Sequence, residues 1–206
     1  MSNVKLVWAT TDAERFIAYM ARVSNPRASW NDEKGCLLKY LIKNQHWSPF
    51  EMANVCLEID TTRDVARQIL RHRSFSFQEF SQRYAVADGY ELSEARMQDT
   101  KNRQNSIPTE DRELKDYWRE LQQKTINAAR EAYEQALRMG IAKEVARKVL
   151  PEGLTTSKMY MNGTVRSWLH YIAIRCDVAT QKEHRDVADQ CRHILRGLMP
   201  TLFGGI

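Results

Sequence analysis

The sequence predicts an α+β fold: one domain over residues 1–206, with a mostly antiparallel sheet flanked by helices, one of them long, at about 109–139. Three observations carry that expectation. Short stretches with apolar side chains at every second position alternate with stretches of helical period. The segment "TEDRELKDYWRELQQKTINAAREAYEQALRMG" keeps a helical character along its length and closes on Gly140, a residue that ends helices because it tolerates the left-handed backbone. No internal repeat and no evident linker divides the chain. At 206 residues, with 43% hydrophobic and 28% charged side chains, it can bury a substantial core and does not read as disordered.

The elements follow in order. "VKLVWA" reads as a strand, and "TTDAERFIAYMARVSN" as a helix with Thr10 or Thr11 as its cap and acids in the first turn. "NDEKGCLLKYLIKNQ" reads as a second helix with Leu37, Leu38, Leu41 and Ile42 on one face, and Pro49 in "HWSPFEM" breaks the pattern. "ANVCLEIDTT" alternates Val55, Leu57 and Ile59 as a half-buried strand does. "TRDVARQILRHR" reads as a helix capped by Thr61 or Thr62, with Gln68 and Arg71 three apart on one face. "SFSFQEFSQRY" reads as extended, with Glu79, Ser81 and Arg83 along one polar edge. "GYELSEARMQDTKNRQNSIP" is a polar surface excursion before the long helix. After it come a short helix in "AKEVARKVLP", a strand in "LTTSKMYMN", and helices in "GTVRSWLHYIAIRCD" and "TQKEHRDVADQCRHILRGLMP".

Thirty-one Lys+Arg against 26 Asp+Glu give a net charge of +5, which suits anionic ligands without singling out nucleic acid. Cys36, Cys56, Cys176 and Cys191 show no metal-like or C-x-x-C spacing and read as reduced thiols. "MSNVKLVWATTDAERF" lacks a charged-then-apolar leader, and no apolar run approaches the ~18 residues that span a bilayer. A soluble, cytoplasmic protein without a membrane partner is the expectation. H-E-x-x-H, P-loop, G-x-G-x-x-G and G-x-S-x-G motifs are all missing, so no metal site is expected and those chemistries lack support.

The chemistry concentrates elsewhere. "RHRSFSFQEFSQRY", Arg71 to Tyr84, mixes arginines with rings, and five arginines stand between Arg63 and Arg83 against two acids, Asp64 and Glu79. Arginine offers a rigid fork of donors suited to phosphate, although a solvated basic face over core aromatics would show the same residues. In "NGTVRSWLHYIAIR", Arg166 and His170 share a helix face. Arg175, nine residues beyond Arg166, falls on the opposite side with Trp168 and Tyr171. Such a helix either exposes two arginines or presents them to two different places. His184 and His193 read as surface residues of the last helix.

Arg71-His72-Arg73, then seven residues, then Ser81, extended by Glu79, Arg83 and Tyr84, resembles the signature of flavin-dependent thymidylate synthases. "HWSPFE", "ARKVLP", "GTVRSWLHYIAIR" and "TQKEHR" follow the same family's order, so the resemblance covers about Ser24 to Arg185. Gln78 and Met52 depart from the family, which often has Asn and His there. The resemblance implies FAD as cofactor, NADPH as reductant, dUMP and 5,10-methylenetetrahydrofolate as substrates, and a homotetramer with sites shared between subunits. It places Ser48, Arg71, His72, Arg73, Glu79, Arg166 and His170 around FAD, with Asn162 or Thr164 as a further contact and His46 as another candidate. It places Gln68, Arg71, Glu79, Ser81, Gln82, Arg83 and Arg147 around dUMP, and Arg175 beside the uracil as the catalytic residue. It implies that Arg175 steadies negative charge on the ring and that no cysteine acts as nucleophile.

Two other classes stay open to the residues alone. Arginines on phosphates with aromatics on bases would bind nucleic acid, a partner the resemblance does not lead one to expect. The long helix could instead be the docking face of an interaction module. A flavin would make the protein yellow, and neither alternative would.

Overall fold

The computed structural model describes residues 2–205. The chain opens with β1 (Asn3–Ala9), α1 (Ala13–Ala21), α2 (Gly35–Lys43) and a 3-10 turn at Ser48–Glu51. β2 (Asn54–Thr62), α3 (Arg63–Ile69) and β3 (Phe75–Glu79) follow, then the short strands β4 (Arg96–Gln98) and β5 (Ser106–Pro108). The long helix α4 (Arg112–Arg138), α5 (Lys143–Ala146) and a second 3-10 turn at Arg147–Val149 lead to β6 (Thr156–Thr164). The chain closes with α6 (Val165–Arg175), α7 (Lys182–Leu198) and α8 (Pro200–Phe203). β1, β2, β6 and β3 align in that order in an antiparallel sheet, while β4 and β5 form a separate hairpin. The α+β class, the antiparallel sheet and the long helix are as the sequence predicts. No helix among the described residues is long and apolar enough to cross a membrane.

The chain divides into two compact units, one holding Asp60–Arg71 and Glu79–Met159, the other Asn3–Ile59, His72–Gln78 and the residues from Tyr160 on. In the second, the apolar faces of α1, α2, α6 and α7 meet the sheet over a core that includes Ile17, Leu38, Leu57, Trp168 and Leu195, all fully buried. The Trp168 indole keeps its polar end satisfied by donating Nε1–H to the Val55 carbonyl at 3.0 Å. Truncating it to Ala would cost about 3–5 kcal/mol. Gly163 lets β6 pass close to β3, since a Cβ there would stand 2.4 Å from the Phe75 ring. The buried Glu14 carboxylate caps α8, accepting from Leu202 N and from Thr201 N and Oγ1.

In the first unit α4 buries only a narrow stripe, Gln122, Ile126 and Tyr133. Asp111 caps it by accepting from Leu114 N at 3.0 Å, and Gly140, with φ of 82°, follows its end. Gln122 accepts from Ser93 N at 2.7 Å and donates to Ser93 O at 3.1 Å, which fixes the polar excursion along the helix.

Several local expectations are corrected. The N-cap of α1 is Asp12, in the left-handed region at φ 47°. Thr10 cannot serve because its Oγ1 accepts from Asn54 N, and its N–H donates to Asn54 O, joining β1 to β2. α2 begins only at Gly35. The N-cap of α3 is Thr62, one of the two residues expected, though it makes no side-chain cap bond, and the helix ends at Ile69. Arg71 therefore lies in the following turn, its N–H bonded to the Gln68 carbonyl, so the two do not share a helix face. β3 stops at Glu79, and Gln82 to Tyr84 form a turn, so Ser81 and Arg83 do not continue a strand edge. The excursion contains the β4–β5 hairpin, with Met97 opposite Ile107.

Candidate active site

The second unit contains the start of α6 and the 3-10 turn of the HWSPFE segment. Thr164, the N-cap of α6, accepts from Ser167 N at 3.3 Å and donates its hydroxyl to Glu51 Oε2 at 2.8 Å. Glu51 Oε1 accepts from Arg166 Nη1 at 2.7 Å. The Arg166 bond holds the Glu51 carboxyl below the usual range against the opposing effect of its burial, with help from Thr164. Beside this pair lies a cavity of about 620 Å³. Trp47, Leu169 and Ile42 give it an apolar wall, and Arg166, His170 and Ser74 give it polar groups. Its volume falls in the roughly 300–1,000 Å³ range of small-molecule sites.

Arg166 and His170 thus share a face, as their spacing predicts. Thr164 is tied to the cavity through Glu51. Ser48 opens the 3-10 turn and is exposed, and exposed His46 packs edge-on against Tyr40 with ring centroids 5.9 Å apart. Asn162 has a buried Oδ1 without a hydrogen-bond partner. Arg73 is exposed in the turn before β3. Glu51 and Trp47 belong to a motif the sequence singles out, yet neither is among the residues predicted to bind. Acid and arginine are 115 residues apart, and only the fold joins them.

The other face of α6 enters the core. Arg175, half-buried, donates Nε–H to His72 Nε2 at 2.8 Å. The His72 ring stands edge-on to Tyr171, centroids 4.9 Å apart at 78°, and 6.4 Å from both Phe75 and His184. Tyr171 shares a hydrogen bond with His184 Nε2 at 3.1 Å, and both residues are fully buried. Burial first, then the Arg175 and His170 charges, lower the His72 pKa to about 4. Burial, Arg175 and His72 lower that of His184 to about 3. Both rings are therefore neutral at pH 7. The surface placement expected for His184 is wrong: it lies on the same stripe of α7 as Val187, Ala188, Cys191 and Leu195, all buried.

The first unit holds most residues predicted for the nucleotide. Glu79 accepts from Arg67 Nη2 at 3.1 Å through both oxygens and from Ser157 Oγ at 2.9 Å, with Arg63 Nη1 at 3.8 Å. Arg63 and Arg67 also reach Glu152, at 3.2 and 3.3 Å. Arg83 pairs with Glu144 at 3.4 Å, Arg147 Nε donates to the Glu144 carbonyl at 3.4 Å, and Lys143 Nζ donates to Tyr84 O at 3.0 Å. Arg83 and Arg147 thus both touch Glu144, the first at its carboxylate and the second at its backbone carbonyl, although 64 residues separate them in the sequence. Ser81 is half-buried, Gln68 is half-buried, and Arg71 is exposed. Gln82 is only 3% exposed, with an Nε2 that has no partner.

Comparison with known proteins settles the family. Residues 5–201 match the family described as thymidylate synthase complementing protein. A flavin-dependent thymidylate synthase of Synechocystis is 51% identical over 92% of this chain and 87% of its own length. A probable flavin-dependent thymidylate synthase of Paramecium bursaria Chlorella virus 1 is 47% identical over 96% and 92%. Among solved structures, the UMP/dUMP methylase PolB of Streptomyces cacaoi bound with 5-Br dUMP superposes with a TM-score of 0.86 at 26% identity, covering 99% of this chain and 93% of that one. A fold that covers both chains almost end to end, together with half-identical relatives of one name, leaves a single conclusion: the chain belongs to the flavin-dependent thymidylate synthase family.

Proposed function

We propose that this chain converts dUMP to dTMP by reductive methylation, with 5,10-methylenetetrahydrofolate as carbon donor and NADPH-reduced FAD as the source of hydride. The observation that carries the proposal is the two-sided character of α6. Arg166 reaches a cavity with an apolar wall, while Arg175, on the opposite face, is held by a neutral histidine. The PolB structures hold 5-Br dUMP and 5-Br UMP, which supports a uridine nucleotide as the substrate class.

The residues fit FAD. The Trp47–Leu169 wall suits a flat ring system, and Arg166 with His170 supplies donors for phosphate oxygens. Ser48, Arg71, His72, Arg73 and Glu79 complete the proposed set. Of the two alternatives next to them, Asn162 has the unpartnered acceptor, while the Thr164 hydroxyl is occupied by Glu51 and Ser167 N. Asn162 is the better assignment. FAD supplies hydride when bound and reduced.

Gln68, Arg71, Glu79, Ser81, Gln82, Arg83 and Arg147 are proposed to hold dUMP by its phosphate and sugar. The contacts of Arg83 and Arg147 with one residue, Glu144, and the spare donor on buried Gln82 support that assignment. C5 of uracil is a weak nucleophile until charge is pushed onto the ring. Arg175 is proposed to stabilise that charge, a preorganised donor acting where charge develops. Its Nε is held by His72, which leaves the terminal nitrogens outside that bond. A thiolate at C6 is the alternative activation, and burial opposes it: the Cys56 and Cys191 thiols are pushed up, and Cys176 is raised to about 11. A homotetramer with sites shared between subunits, a single functional domain over residues 1–206 and a cytoplasmic location complete the proposal.

The test is direct. Purified protein incubated with FAD, NADPH, dUMP and methylenetetrahydrofolate should form dTMP, and omission of any one should abolish it. Turnover without FAD would overturn the reading.

A further inference from the structure

The buried pair Tyr171–His184 has no part in the function proposed above, yet it stands directly behind the residue that function depends on. Arg175 is the last residue of α6. A long side chain at a helix end has many rotamers, and an electrostatic catalyst must have one. The His72 bond, at 2.8 Å to the Arg175 Nε, limits that freedom. His72 can accept there only while Nε2 carries a lone pair, so its proton must sit on Nδ1 and the ring must be neutral.

What holds the His72 ring is a wall of aromatics. Tyr171 gives the closest contact, with centroids 4.9 Å apart and planes nearly perpendicular. Phe75 and His184 stand farther off, each at 6.4 Å. Tyr171 is in turn fixed by the 3.1 Å hydrogen bond between its hydroxyl and His184 Nε2, which comes from α7. Tyrosine and histidine are both fully buried, so each polar end needs the other. The charges acting on His72 come from Arg175 and His170 of α6, and both oppose its protonation. Arg175 and His72 act on His184 in the same sense. The Arg175 guanidinium therefore faces two imidazoles, His72 and His184, that burial and its own charge keep neutral.

We propose that Tyr171 and His184 are positioning residues for Arg175: they hold the His72 ring edge-on, as a hydrogen-bond acceptor for the guanidinium. The proposal rests on Arg175 acting on the substrate. Its test does not, because the state of His72 can be read without turnover. Simple core packing would also bury Tyr171 and His184, but it would leave the His72 tautomer and titration indifferent to the tyrosine hydroxyl.

The experiment is a pH titration of the full-length protein, labelled with 15N-histidine and followed by long-range 1H–15N NMR. In the wild type His72 should show the Nδ1–H tautomer and titrate near pH 4. An Nε2–H tautomer, or titration near 6.5, overturns the proposal before any variant is made. In Tyr171→Phe the tautomer should become mixed and the titration should rise by roughly one unit or more, as the ring loses its fixed orientation. Turnover should fall about tenfold with KM for dUMP nearly unchanged, and the acid limb of the rate profile should move up with the titration. His184→Gln, which keeps a partner for the hydroxyl, should restore most of the His72 signature that His184→Leu loses. Folded Tyr171→Phe with an unmoved His72 tautomer and titration refutes the inference. Full turnover in Arg175→Ala would instead refute the catalytic reading, whatever His72 does.

Discussion

Glu51 and Arg166 meet at 2.7 Å across 115 residues of chain. One partner comes from the 3-10 turn after α2, the other from the first turn of α6, and the pair stands at the polar end of the apolar cavity. An arginine oriented by a carboxylate is a prepared donor for a phosphate oxygen. The pair is partly exposed, with Arg166 at 51% and Glu51 at 34%, so it contributes little to folding, about 1 kcal/mol or less. Arg166→Ala should therefore weaken FAD binding by about tenfold or more while leaving thermal stability nearly unchanged. FAD titration and calorimetry on the same preparation measure both. Undiminished FAD affinity would remove Arg166 from the flavin site.

Arg175→Ala separates binding from chemistry. FAD binding should survive, and turnover should fall on the order of a hundredfold or more, the cost of losing a charge-stabilising donor. Flavin titration followed by measurement of dTMP formation gives the two numbers. A variant with near-normal turnover would mean that the uracil is activated by some other group.

The cysteines supply an independent check. Cys56 and Cys191 are buried, Cys176 is half-buried, and burial raises all three thiols. A protein with all four cysteines replaced by Ser or Ala should still form dTMP at a rate within about threefold of the parent, provided it folds. Strict dependence on one of them, including the exposed Cys36, would restore a thiolate mechanism.

Stability should fall on acidification through the two buried histidines. Their folded-state pKa values, about 4 for His72 and about 3 for His184, lie below the ordinary 6.5. The unfolded chain therefore binds more protons than the folded one from about pH 6.5 down to about 4 for His72 and about 3 for His184. Their contribution is present in full above 6.5 and is lost as pH falls through that window, on the order of 1 kcal/mol or more in total. Urea denaturation at pH 7 and pH 4.5 measures it. The loss should shrink in His184→Gln, and an equal loss in that variant would exclude His184 as a source.

Much of this was legible in the residues, for physical reasons. Helical period alone placed Arg166 and Arg175 on opposite faces of α6, and the structure buries the Trp168–Tyr171 side while Arg166 stays at the cavity. The long helix announced itself by an unbroken run closed by Gly140. The β4–β5 hairpin did not, because three-residue strands are too short to show an alternation and their neighbours are polar. Arg71 was expected on a helix that stops at Ile69, where the chain turns toward β3 without a glycine or proline to mark it. His184 was readable after all: it stands three, four, seven and eleven residues before Val187, Ala188, Cys191 and Leu195, on their apolar stripe. The Glu51–Arg166 pair was not readable, since no local pattern joins residues so far apart.

A crystal structure of the protein with FAD and dUMP would show which face of α6 each ligand meets. The flavin should lie against Trp47 and Arg166, with the terminal nitrogens of Arg175 within hydrogen-bond reach of a uracil oxygen. A uracil ring out of reach of Arg175, or a flavin lying away from the Arg166 cavity, would contradict the proposed function.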